Sequence, residues 1–188
     1  MGPVHLRPAA EAIEPEVEPL AVIAAAAEGN VTAFEHLYAR FSPAVYGLCL
    51  RLTGHPPTAE DCTQETFVAA WRALDRFERR SLFSTWLQRI AIHMVLARRR
   101  GLRVRFEVAE PPAGMPDVAD PGAGAPPIDL ERAIATLPEG ARHVLVLVCI
   151  YGFSHGEAAQ ALGVAEGTCK AQLHRARKLL SAALGLEE

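Results

Sequence analysis

Residues 154–180 read SHGEAAQALGVAEGTCKAQLHRARKLL, and the fold turns on them. Ser154 is placed to cap a short helix, with Glu157 three residues on and Ala158, Ala159 and Leu162 following on its inner side. Gly163 supplies a turn, and a second helix carries Val164, Cys169, Leu173, Ala176 and Leu180 on one face. The small residues at 158 and 159 let two helices approach closely, and with Gly163 they make a helix-turn-helix pattern. On the other face of the second helix fall Thr168, Lys170, Ala171, His174, Arg175 and Lys178. A polar, cationic face that begins at a helix N-terminus suits insertion into the major groove of DNA. A solvated face of an ordinary bundle helix would show the same residues, so the pattern alone leaves both readings open.

The neighbouring sequence extends the helical reading in both directions. Helices are expected at 130–135, 139–150, 154–162 and 166–184, broken at Pro138, Gly152 and Gly163. Residues 107–127 (EVAEPPAGMPDVADPGAGAPP) are rich in Pro and Gly and poor in large apolar groups, so they read as a flexible linker. Before it, Asn30 or Thr32 can cap a helix, Pro43 can open its continuation, and Gly54-His55-Pro56-Pro57 is a stop. Thr58 is the expected cap of the next helix, with Cys62, Phe67, Trp71 and Leu74 inward. Ser84 is the expected cap of a third, with Leu87, Ile90, Ala91 and Met94 inward. No segment alternates with period two. The expected fold is therefore all-α, with two small helical domains at 19–106 and 128–188 joined by the 107–127 linker, after a disordered extension at 1–18.

Composition narrows the function. No apolar run approaches the roughly 18 residues of a membrane helix, and the N-terminus lacks the basic and apolar regions of a signal peptide. The expectation is a cytoplasmic protein without membrane insertion, in keeping with four scattered cysteines and no CxxC. No phosphate loop, GxSxG or HExxH is present, so neither catalysis nor a cofactor is expected. Cys149, Cys169, His143 and His174 share one domain and could be imagined around a metal, but Cys169 belongs to the apolar face, and no metal site is expected. The net charge of −3 looks unpromising for nucleic acid until it is divided by segment. Residues 1–29 carry −4, 30–106 carry +6, 107–127 carry −4 and 128–188 carry −1. The basic block is the local field that counts for partners.

Two motifs lie in that block. In 59–71 (AEDCTQETFVAAW), Glu60, Asp61, Gln64 and Glu65 form a mostly acidic patch opposite the apolar stripe. It fits a docking surface for a basic partner as well as a plain solvated face. In 76–100, seven Arg are balanced by Glu78 alone and interleaved with Phe77, Phe83 and Trp86. Ring faces beside cations are what separated nucleic-acid strands require. The competing reading puts Phe83 and Trp86 in the core.

These residues resemble a known family. Residues 59–91 (AEDCTQETFVAAWRALDRFERRSLFSTWLQRIA) look like region two of the group IV, or extracytoplasmic-function (ECF), sigma factors of the sigma-70 family. Residues 137–180 (LPEGARHVLVLVCIYGFSHGEAAQALGVAEGTCKAQLHRARKLL) resemble their region four. The resemblance implies a bacterial alternative sigma factor that binds core RNA polymerase through its β and β′ subunits and initiates transcription without catalysis of its own. It implies polymerase docking at Glu60, Asp61, Gln64 and Glu65. It implies capture of the minus-ten element, including the melted non-template strand, by Arg76, Arg79, Arg80, Phe83, Ser84, Thr85, Trp86, Arg89 and His93. Duplex reading of the minus-35 element would fall to Thr168, Lys170, Ala171, His174, Arg175 and Lys178, and the linker acids Asp117 and Asp120 could mimic nucleic acid. An anti-sigma factor is the further partner the resemblance implies. The alternative is a stand-alone helix-turn-helix regulator, which would need a dimerisation element that the sequence does not show.

Overall fold

The structure, a computed structural model, describes residues 20–99 and 128–185. The expected N-terminal extension, the linker with Asp117 and Asp120, and Arg100, Arg103 and Arg105 lie outside the described residues. Among the described residues every regular element is helical, as expected.

The first half is built from four helices. Helix α1 (Leu20–Ala27), which the sequence did not announce, buries Ile23 and Ala26. Helix α2 (Val31–Thr53) starts at Asn30, whose side chain accepts from the Ala33 amide at 3.0 Å. Pro43 lies inside this single 23-residue helix and opens no new one. An interior proline costs about 3 kcal/mol; burial of Leu37, Val45, Leu48, Cys49 and Leu52 on either side of it offsets that.

The expected stop at Gly54–Pro57 is also a start. Helix α3 (Pro56–Ala73) begins with both prolines in its first turn, where a missing N–H has no intrahelical partner to lose. His55, not Thr58, is the N-cap: its Nδ1 accepts from the Thr58 amide at 3.4 Å. A 3₁₀ turn (Leu74–Arg76) leads towards α4 (Phe83–Arg99), which starts one residue before the expected Ser84 cap. Phe83 is drawn into an aromatic cluster with Phe41, Phe77 and Trp86, at centroid separations of 5.2, 5.8 and 5.6 Å. That packing winds the first turn ahead of Ser84.

The second half follows the expected breaks. Helix α5 (Ile128–Thr136) is followed by α6 (Glu139–Leu145), which widens into a π-helical turn over Val146–Ile150. Helix α7 (His155–Leu162) is capped by Ser154 in a complete capping box with Glu157, and ends at Gly163 with φ 68°. Helix α8 (Glu166–Leu184) closes the fold. The two halves are not separate bodies, because the end of α2 packs on α5 and α6 and one continuous core runs through both.

Candidate polymerase and promoter interfaces

Helix α8 presents two chemically opposite faces. Cys169, Leu173 and Ala176 are buried, which fixes the helix against α6 and α7. Thr168, Lys170, Ala171, His174, Arg175 and Lys178 are all exposed, so every expected minus-35 residue faces outward together. Val164, assigned from sequence to the inner face, is instead exposed in the turn. Ala165 gives no side-chain cap, so the first amides of α8 are left available to an anion. Lys170 pairs with Glu166 at 2.6 Å; the hydrogen bond and charge of each raise the ammonium pKa and lower the carboxyl pKa.

The acidic ridge lies on α3. Glu60, Asp61 and Gln64 are exposed and Glu65 is half-buried beside them. Both acids nearest the end of α4 have an intramolecular partner, since Arg98 reaches Asp61 at 2.9 Å and Glu65 at 3.4 Å. The ridge continues past the residues read from the sequence. Val68 is 44% exposed, and Trp71, expected inside, is 37% exposed while resting edge-on against Phe34 at 4.7 Å. Tyr38 of α2 stands beside Phe67 and is also exposed. An apolar patch flanked by carboxylates has the composition of a protein-docking face. The periodic pattern could not reveal it, because Trp71 sits on the shoulder between the two faces.

The expected minus-ten residues divide. Arg76, Arg79 and Arg80 are exposed on and beside the loop before α4, and His93 is exposed further along that helix. Phe83, Thr85 and Trp86 are buried, and Ser84 and Arg89 are half-buried. The rings of Phe83 and Trp86 therefore anchor the loop and are not offered for stacking in this conformation, which favours the core reading of both. Leu82, not singled out from sequence, is the apolar group the loop exposes. Arg79 holds φ 59°, an unusual value for a residue with a Cβ. Arg80 is tied to Glu78 at 2.5 Å.

The thiols and imidazoles do not converge. Cys169 is in the core, Cys149 is exposed beside Arg177 at 3.7 Å, and His143 is buried against α2. Among the described residues no group of three metal-ligating side chains comes together, and no helix is long and apolar enough to cross a membrane.

Comparisons with known proteins agree with this geometry. The family model for Sigma-70 region 2 matches residues 37–104, and that for Sigma-70, region 4 matches residues 128–180. The RNA polymerase sigma factor CnrH of Cupriavidus metallidurans is 36% identical over 186 residues, covering 92% of this chain and 97% of its own. The ECF RNA polymerase sigma factor SigE of Mycolicibacterium smegmatis is 35% identical over 182 residues, covering 89% of this chain and 69% of its own. Among solved structures, CnrH in complex with the cytosolic domain of CnrY aligns with a TM-score of 0.52 at 32% identity, covering 89% of this chain and 97% of that one. The sigma factor RpoE in complex with the anti-sigma factor NepR from Bartonella quintana aligns with a TM-score of 0.55 at 28% identity, over 84% of this chain and 100% of that one. Both regions are present in order, on helices whose exposed faces suit polymerase and promoter, and the chain belongs to the ECF family of RNA polymerase sigma factors.

Proposed function

We propose that the chain divides sigma-factor work between three surfaces. The ridge of Glu60, Asp61, Gln64 and Glu65, extended by Val68 and Trp71, docks on core polymerase. The loop Arg76–Arg80 and the outer side of α4 as far as His93 hold the opened minus-ten strand. The outer face of α8 reads the minus-35 duplex. We assign 19–106 to region two, 107–127 to the linker and 128–188 to region four. The protein acts in the cytoplasm with no catalysis of its own, and chemistry remains with the polymerase.

The observation that carries this reading is the pairing of faces on one chain. An exposed acidic and apolar ridge stands on α3, and an exposed cationic face stands on α8. A stand-alone regulator would need the second face and has no use for the first. The near-neutral charge of residues 128–188 also fits a reader that gains its affinity from being carried on polymerase, through high effective concentration. Two of the solved relatives are held in complexes, one by an anti-sigma factor. An anti-sigma factor that competes for the α3 ridge is the control we propose here.

Footprinting tests the division of labour. With core polymerase and a cognate promoter fragment, the full chain should protect both elements, and the chain alone should protect neither at the same concentration. Protection by the chain without polymerase would favour the stand-alone regulator.

A further inference from the structure

Helix α8 has to approach a polyanion, yet it opens with an acid. Over Glu166–Leu184 its charged side chains are Glu166, Lys170, Arg175, Arg177 and Lys178. A carboxylate among four cations is out of place near phosphates, where like charge repels. Part of the reason is local. An acid in the first turn favours the helix dipole, and Glu before Lys at i,i+4 is the better order. Those effects do not account for where the carboxylate stands. Glu166 Oε1 accepts from Lys170 Nζ at 2.6 Å, and both side chains are more than half exposed. Oε2 faces the start of α7, where a Cβ on Gly156 would stand 3.9 Å from it. The carboxylate is thus set between the two helices of the helix-turn-helix, with one oxygen towards α7 and the other on the ammonium. The exposed positions nearest Lys170 in sequence, Gly167, Thr168 and Ala171, are short, which leaves that ammonium room to enter a groove.

Donor counting gives the pair a use. A lysine ammonium has three N–H donors, and one of them is committed to Glu166. Two remain, and guanine presents two acceptors, O6 and N7, in the major groove. Adenine replaces one of those acceptors with a donor, and cytosine offers a donor there. A phosphate asks only for charge, and an untethered lysine finds one at any sequence. Beside Glu166 the same ammonium has its charge offset and its direction set. A phosphate then gains little from it, whereas a guanine edge still meets both remaining donors.

We propose that Glu166 determines specificity in the minus-35 reader: it holds the Lys170 ammonium for one guanine of the element and keeps it off phosphate. Glu166 is a positioning residue, because Lys170 makes the contact. This role rests on the reading of α8 as the face that meets the duplex, which Lys170→Met and Arg175→Ala test on their own.

Selection by the holoenzyme measures it. Core polymerase carrying the full chain is mixed with duplex fragments that share a minus-ten element taken from a mapped start site and have a randomised minus-35 window. The bound fraction is then sequenced. The wild type should enrich guanine at a position where Lys170→Met loses the enrichment. Glu166→Gln keeps the shape and removes the charge, and it should cut that enrichment several-fold while raising affinity for a random-sequence fragment. The slope of log affinity against log salt should steepen by about one, as expected for one further phosphate contact. Glu166→Asp restores the charge and should recover part of the enrichment. In the Lys170→Met background, Glu166→Gln should change the enrichment no further. An acid that only stabilises the helix would act differently, lowering the melting temperature and weakening cognate and random fragments together with the guanine preference intact. That pattern, or a preference and salt slope unmoved in E166Q, would overturn the positioning role while K170M and R175A still lose the minus-35 preference. A preference that survives both K170M and R175A would overturn the α8 reading, and the role of Glu166 with it.

Discussion

Thiol chemistry separates the four cysteines. Burial pushes the Cys49 thiol up to about 12 and the Cys62 thiol up to about 11, and it also raises Cys169. Only Cys149 is exposed. A disulfide reagent at neutral pH should therefore titrate one thiol rapidly in the native chain and four in urea; two or more in the rapid phase would contradict the packing. On α3, Asp61 and Glu65 meet a cation of their own chain at a partly exposed site, where such a pair adds at most about 1 kcal/mol. Replacing both by Lys should leave the melting transition nearly unmoved and abolish co-elution with core polymerase, and undiminished co-elution would refute the docking assignment. Arg175→Ala should weaken promoter binding of the holoenzyme by roughly 1–3 kcal/mol if the side chain reads a base. A gel-shift titration with cognate and mutated minus-35 elements measures that loss.

At the scale of elements, the capping box before α7 is the clearest local device. The Ser154 hydroxyl accepts from the Glu157 amide at 3.2 Å, and the Glu157 carboxylate accepts from the Ser154 amide at 2.8 Å. Hydrogen bonding to Ser154 holds the Glu157 carboxyl below its ordinary 4.5. A depressed folded value means the box stabilises fully above that ordinary value and loses its contribution as pH falls through the lowered one. Ser154→Ala should cost about 1 kcal/mol in urea unfolding at neutral pH, and the gap from wild type should narrow in acid. A gap that stays constant with pH would contradict a carboxylate-dependent cap. This element was legible in the sequence because cap, breaker and small residues all pointed one way. The stop at Gly54–Pro57 holds, but the α3 cap falls at His55 and not Thr58, because the same prolines that follow the end of α2 also suit the first turn of α3. Helix α1 had no cap or polar face to announce it. Phe83 and Trp86 carried two compatible readings, and only their packing against Phe41 and Phe77 decided between them.

For the whole molecule, the division of charge was visible from the start, whereas the junction was not. Arg142 and His143 sit in ARHVLVLV, where an apolar run swamps any signal that two polar groups are aimed at another helix. Their partners on α2 are backbone carbonyls some 90 positions away, which no side-chain pattern records. The same long-range contact explains why a chain with two readable domains folds around one core. The proposed function pairs the α3 ridge, assigned to docking, with the α8 face, assigned to DNA reading, and neither would suffice alone. Run-off transcription with core polymerase on genomic fragments, with and without the full chain, tests that most directly. Discrete transcripts that appear only when the chain is added, and vanish with the Asp61 and Glu65 reversals, are the expected result. Transcripts that are identical without the chain, or none with it on any fragment, would contradict the account.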